Sequence, residues 1–345
     1  MAQPGMPTLQ LRFDGLLDLV DASTLTWTLG DPPRRAAAGR AQVSFRAMGC
    51  AIRAQVESDD PRAAEHLKRV PEWFETWEAR LSRFRPESEL SQLNARAGEM
   101  VAVSPVLWQV IQASLQAAKM SQGLVTPTVL PALEAAGYDR PFAEMKQDST
   151  EDVAAPDEVP NWRSIRLEPK GRRLGLPRRA KLDLGGIGKG WAADRAVARL
   201  KHLGPSMVEA GGDIALSGPR SRGEAWRIAV ADPQQADHDL VFLAVSSGGV
   251  ATSGKDYRRW RRAGAWQHHL IDPRTGHPAA GDVWSATVMA PSLQIAESAA
   301  KTVVILGADE GLDWIERRPN LAAFLVLEDG TRLDSRRLQD HLWRD

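Results

Sequence analysis

Apolar residues recur at Leu67, Val70, Phe74, Trp77, Leu81 and Phe84, at spacings of three and four that predict one buried helical stripe, with Pro71 forcing a kink or a restart. Ser104-Pro105 pairs a good cap with a good first helical residue. The helix it predicts buries Val106, Val110, Ile111 and Leu115 and ends at Gly123. Ser88 is placed to cap a short helix, and Leu293 to Gly307 predicts another long one. Elsewhere the period is two. Val43 and Phe45, then Ile52, Ala54 and Val56 beyond a Gly49-Cys50 step, predict strands. Further strands are expected at Leu9 to Phe13, Ser206 to Leu216, Ala225 to Ala231, Leu240 to Val245, Trp284 to Met289 and Asn320 to Leu327, with hairpins around Glu168 to Arg172 and Glu328 to Thr331. Helices and strands mix without strict alternation and no repeat of 20 to 50 residues is present, so the fold class is α+β, with mixed or antiparallel sheets and packed helices.

The pattern also divides the chain. Residues 1–40 include the polar Pro/Arg/Ala-rich run Asp31 to Arg40 and read as an N-terminal extension with a flexible join; residues 41–345 form the main body. Within it, the charged, proline-containing run from about 138 to 161 has no period and reads as a surface loop.

Charge narrows the partners. Lys and Arg total 44 against 44 Asp and Glu, so there is no global field favouring nucleic acid or acidic lipid. Cys50 is the only cysteine, which excludes an internal disulfide and a cysteine-based zinc cluster. The start has no basic segment followed by an apolar one, and no apolar run is long enough to span a bilayer; a soluble cytoplasmic protein is the expectation.

The candidate chemistry centres on Lys181-Leu-Asp-Leu-Gly-Gly-Ile-Gly-Lys-Gly190, which suits a short strand, a glycine turn and then a helix carrying Trp191, Val197 and Leu200. A glycine turn entering a helix offers free N–H groups and the positive end of the helix dipole to an anion, and Lys189 adds a full charge. A plain tight turn would read the same way. Gly211-Gly-Asp213 and Ser246 to Gly254 add two more glycine turns, and together the three suggest a ligand with several phosphate or hydroxyl groups. His269 and Asp272, three apart across a turn, would orient a hydroxyl or take its proton, or else form a structural hydrogen bond. Glu297 and Lys301 stand four apart in the favourable order for an intrahelical ion pair. The cluster Arg258 to Arg262 reads as a solvated face.

Taken in order, Ala47-Met-Gly-Cys50, Leu81-Ser-Arg-Phe-Arg-Pro-Glu-Ser-Glu-Leu-Ser-Gln-Leu-Asn94, Gly123-Leu-Val-Thr-Pro-Thr-Val129, Leu182-Asp-Leu-Gly-Gly-Ile-Gly-Lys-Gly190, Gly211-Gly-Asp213, Ala251-Thr-Ser-Gly254 and His269-Leu-Ile-Asp-Pro-Arg-Thr-Gly276 resemble the ApbE-like flavin transferases over about residues 42–330. The resemblance implies FAD as donor, bound in a cleft between two lobes, and FMN attached through a phosphoester to a Thr or Ser of an acceptor flavoprotein as AMP leaves. It implies Met48, Phe84, Leu124, Val125 and Thr126 around the flavin, and Asp183, Lys189 and Ile271 on other parts of FAD. His269 falls on the family's essential histidine, and Gly186, Glu297 and Lys301 fall on its Mg²⁺ site.

That site departs from the family pattern, which has an Asp and a Thr where this chain has Glu297 and Lys301. Thr126 also stands where an Asp is common. Three readings stay open. Lys301 takes over charge neutralisation as a catalytic group beside His269 and Asp272; Mg²⁺ binds through Glu297 and Gly186 with more waters; or transfer is lost. A non-catalytic FAD-binding protein and a FAD pyrophosphatase releasing FMN and AMP are the alternative functions.

Overall fold

The computed structural model describes residues 12–13, 26–29, 39–146, 148–150, 158–235 and 237–344. Its centre is a nine-stranded sheet of β1 (Thr26–Leu29), β2 (Arg40–Ala47), β3 (Cys50–Glu57), β4 (Ser206–Ala210), β5 (Asp213–Leu216), β6 (Gly248–Gly254), β7 (Val283–Ala290), β8 (Ala322–Leu327) and β9 (Arg332–Asp334). These strands lie side by side in chain order, each antiparallel to the next. Apart from the strand Arg12–Phe13 before β1 and the short helix Arg336–His341 after β9, the other described elements are inserted between neighbours.

The longest insertion, between β3 and β4, holds α1 (Arg62–Lys68), α2 (Val70–Leu81), α3 (Glu89–Ala95), α4 (Pro105–Met120), α5 (Leu130–Ala135) and α6 (Gly188–Leu200). The expected break at Pro71 is the junction of α1 and α2, with the proline in the first turn, where its missing N–H costs nothing. Ser88 and Ser104 accept hydrogen bonds from Ser91 N and Leu107 N, capping α3 and α4. Between β7 and β8 come α7 (Leu293–Leu306) and α8 (Ala308–Glu316).

Both faces of the sheet are buried, which explains why β8 reads Ala-Ala-Phe-Leu-Val-Leu instead of alternating. Ala323 and Leu325 join the core under α2, α6 and α7; Ala322, Phe324 and Val326 join a second core closed by the hairpin of strands Trp226–Ala231 and Asp239–Val245. Each fully buried Val or Leu contributes roughly 1.5–3 kcal/mol. Helix α7 lies directly on β6 because Gly249 has no side chain: a Cβ there would stand 2.3 Å from Leu293 Cα.

The mixed α+β fold with antiparallel sheets and packed helices is therefore present, with local corrections. Ser246 to Gly254 is no anion turn; Gly248–Gly254 is a central strand whose glycine serves helix packing. Lys181 to Leu184 is no strand either. The Asn94 side chain stands in for a strand partner there, its Oδ1 accepting from Leu182 N at 2.7 Å and its Nδ2 donating to Leu182 O at 2.9 Å. In the 138–161 run, Asp148–Ser149 pairs with the strand Arg259–Arg262, while residues 147 and 151–157 lie outside the described residues. Of the 1–40 extension, Arg12–Phe13 pairs with the strand Trp226–Ala231 and β1 with β2; Leu9 to Leu11 lie outside the described residues. Among the described residues no helix is long and apolar enough to cross a membrane.

Candidate active site

The site lies where the long insertion faces α7 and the 258–271 segment. It is an open cavity enclosing about 810 Å³, open solvent included. One wall is aromatic. The loop after α2 presents Arg83 and Phe84, and the Arg83 guanidinium lies 4.1 Å from the Phe84 ring centroid and 4.6 Å from that of Tyr138. Arg83 Nε stands 2.7 Å from Asp183 Oδ2, and Arg83 Nη2 donates to the Tyr138 carbonyl at 2.8 Å. Leu124, Val125, Thr126 and Ile271 complete this side. Asp183 is fixed from both directions: its N–H donates to Pro127 O at 2.8 Å, and its Oδ1 accepts from Gly185 N at 2.8 Å.

Opposite, Lys301 fronts a charged wall whose other members, Glu297, Lys189 and Asp213, stand behind the cavity lining. Glu297 on α7 is 1 % exposed; its Oε1 accepts from Lys301 Nζ at 3.1 Å and lies 3.3 Å from Lys189 Nζ, and its Oε2 accepts from Gly190 N at 3.0 Å. Lys189 Nζ donates in turn to Asp213 Oδ2 at 2.8 Å, and Asp213 Oδ1 accepts from Thr252 N at 3.0 Å. Burial opposes charge on Glu297, but Lys189 and Lys301 outweigh it and hold its carboxyl at about 2. Burial likewise opposes charge on Lys189, and Asp213 with Glu297 reverses the shift upward. Lys301 moves down, because burial and Lys189 together exceed the pull of Glu297.

Helices α6 and α7 exchange these carboxylates. Glu297 of α7 sits in the first turn of α6, whose Gly190 leaves room for it: a Cβ there would be 2.8 Å from Glu297 Oε2 and 3.0 Å from Gln294 Cα. Asp194 of α6 accepts from Leu293 N at 2.9 Å and Gln294 N at 3.0 Å, filling the role that Ser292, at the N-cap of α7, does not. The start of α6, expected as the anion site, is thus filled in part by the chain's own carboxylate. What faces the cavity is Gly185, Gly186 and Ile187, with the Lys301 stem alongside.

His269 borders this cavity and a smaller one of about 580 Å³ lined by Cys50, Lys189, Gly211, Asp213, Thr252 and Asp256. Its Nδ1 is buried without a hydrogen-bond partner, as is Asp256 Oδ1. Burial, followed by Arg258, His268 and Lys301, pushes the imidazole well below its usual 6.5 and keeps it neutral. Burial raises the Asp256 carboxyl to about 6 and the Cys50 thiol to about 11, so the thiol is no nucleophile at neutral pH.

A family model described as the ApbE family matches residues 48–325. The chain belongs to the ApbE family. It is 28 % identical over 259 residues to the FAD:protein FMN transferase of Haemophilus influenzae, covering 72 % of this chain and 74 % of that protein. It is 30 % identical over 255 residues to the one of Vibrio cholerae, covering 72 % and 75 %. Among solved structures it resembles the ApbE protein of Thermotoga maritima (TM-score 0.79, 25 % identity, 88 % of this chain and 100 % of that one). It also resembles the flavin transferase ApbE of Vibrio cholerae (TM-score 0.72, 26 %, 88 % and 99 %).

On this ApbE fold, Phe84, Leu124, Val125, Thr126, Asp183, Gly186, Ile271, His269 and Lys301 line one cavity, and Lys189 lines its smaller neighbour. Three expected residues line neither cavity: Met48, Asp272 and Glu297, the last of them buried behind Lys301. Met48 occupies the β2–β3 turn with φ +52°, its N–H donating to Glu78 Oε2 at 2.7 Å, and lines neither cavity. Asp272 binds Arg274 through its N, Nε and Nη2 and closes a turn; it does not line the cavities with His269. Four contributors went unassigned in the sequence: Arg83, Tyr138, Arg258 and Asp256. Arg258 was read with a solvated cluster, yet it lines both cavities and donates to Tyr138 OH at 3.2 Å, whereas Arg259 and Arg261 flank the half-exposed Trp266.

The residues present do not fit a divalent cation on Glu297. Its Oε1 already meets two ammonium groups within 3.3 Å and its Oε2 accepts from Gly190 N, so both oxygens are taken.

Proposed function

We propose that this chain is a FAD:protein FMN transferase, its residues 41–345 acting as one flavin transferase domain with FAD bound in the cleft between the helical insertion and the sheet. The activity is that of its relatives in Haemophilus influenzae and Vibrio cholerae, which align over about three quarters of their own length. The observation that carries the reading is an aromatic, ring-sized chamber joined to a glycine segment and cations, with a neutral histidine bordering a second opening. The flavin lies against Phe84, Leu124, Val125, Thr126 and Ile271, and the diphosphate along Gly185 and Gly186. Asp183 orients that segment, while Lys189 and Asp213 support the charged wall.

The acceptor's Thr or Ser oxygen attacks the phosphorus on the riboflavin side. A new O–P bond forms, the bridging P–O bond breaks, and AMP departs with the electron pair. The hydroxyl proton passes to His269. An imidazole held neutral is ready to accept it, and a diphosphate alongside stabilises the resulting imidazolium. Apolar walls that keep water out favour the protein hydroxyl over hydrolysis.

The test is to incubate the full chain with FAD and a purified flavoprotein domain bearing a Thr/Ser flavinylation site, and to follow the acceptor's mass and AMP. An FMN adduct with equal AMP is expected. Intact FAD would point to a binding protein, and FMN plus AMP without an adduct to a pyrophosphatase; either result overturns the proposal.

A further inference from the structure

We infer that this chain works without a divalent cation, the Lys301 ammonium being its built-in counter-charge for the diphosphate of FAD; the inference rests on the flavin-transfer reading. Lys301 Nζ is fixed by its own helix, 3.1 Å from Glu297 Oε1 and 3.5 Å from the Glu297 carbonyl one turn back. An ammonium carries three N–H donors, and these two acceptors leave one for a phosphate oxygen. The side chain is 13 % exposed, and that exposure gives onto the cavity beside Gly185 and Gly186.

Around it the formal charges already balance. Lys301, Glu297, Lys189 and Asp213 alternate in sign across contacts of 3.1, 3.3 and 2.8 Å. A cation added to Glu297 would have to displace Lys301 and Lys189 from Oε1. With Lys301 in place, an incoming diphosphate meets an ammonium that needs no dehydrated metal and no further ligand, and Arg258 lines the same cavity. One of these contacts, Lys189–Glu297, also joins α6 to α7.

The experiment measures FAD affinity of the full chain by flavin fluorescence, in excess EDTA and in MgCl₂, together with calorimetric titration of MgCl₂ alone. Equal affinity in both media and no Mg²⁺ binding are expected. The pair Glu297→Asp with Lys301→Thr should bind FAD about tenfold or more weakly in EDTA, about 1.4 kcal/mol, and recover in MgCl₂. Lys301→Arg, which keeps the charge and is the milder change for folding, should stay indifferent to EDTA. Chelator-sensitive FAD binding by the unaltered chain, or Mg²⁺ binding by it, overturns the inference and leaves the transferase reading standing. Absence of FAD binding in every medium overturns both.

Discussion

The two walls of the cavity are held by different physics. The aromatic wall is built from side chains on loops, with Phe84 still 36 % exposed and its Arg83 neighbour stacked upon it. The charged wall is carried on two packed helices and two sheet strands, with Glu297 at 1 % exposure. Stacking groups on loops can adapt to a ring that enters and leaves. Ion pairs in the interior cannot, because every charge there is stable only while its partner stays in place. The aromatic wall should therefore govern affinity alone, and the charged wall the integrity of the fold as well as the hold on the diphosphate.

The largest expected effect tests the charged wall. Glu297→Ala strands Lys301 in the interior, leaves Lys189 with Asp213 alone and removes the carboxylate in the first turn of α6, so urea denaturation should show a loss of about 3–5 kcal/mol. A loss below about 1 kcal/mol would mean that water screens the cluster and that the two walls differ less than their burial implies.

His269→Ala tests the boundary between the walls. Single-turnover transfer should slow by about a thousandfold, in the range of a lost general base, while FAD affinity changes little. Equal losses in rate and affinity would make His269 a binding group. Asp256→Asn gives a pH-dependent effect. With its carboxyl at about 6 in the fold against an ordinary 3.8, Asp256 contributes stability at low pH that is lost as pH rises through 6. The Asn variant should thus be about 3 kcal/mol more stable than the parent at pH 8 and indistinguishable near pH 3. A gain of equal size at both pH values would remove the titration argument.

The smallest effect belongs to the aromatic wall. Phe84→Ala should weaken FAD binding about tenfold, by loss of ring contact, with thermal stability unchanged. Should it destabilise the chain as much as Glu297→Ala, the comparison between the walls fails.

The local devices were legible in the residues. Ser88 and Ser104 cap, Pro71 restarts a helix, and Glu297 pairs with Lys301, because each depends on neighbours within a few positions. The motif residues from Phe84 to Lys301 that converge on the cavity were legible too, through the order of their short signatures. What the sequence did not contain was the meaning of those residues across the fold. Gly190 read as part of a phosphate turn, yet its N–H is taken by Glu297, 107 positions away, while Asp194 returns the same service to α7. Gly249 read as a second turn and is a packing site for a helix. Arg258 reads as one of a solvated row and faces the site, while of the two readings of Asp272, a hydroxyl-orienting group or a structural hydrogen bond, the structure makes the second, with Arg274. Hydrogen bonds within a turn are set by chain connectivity. Pairing between distant charges is set by which helices the sheet brings within about 3 Å of one another, and that distance exists only once the chain has folded.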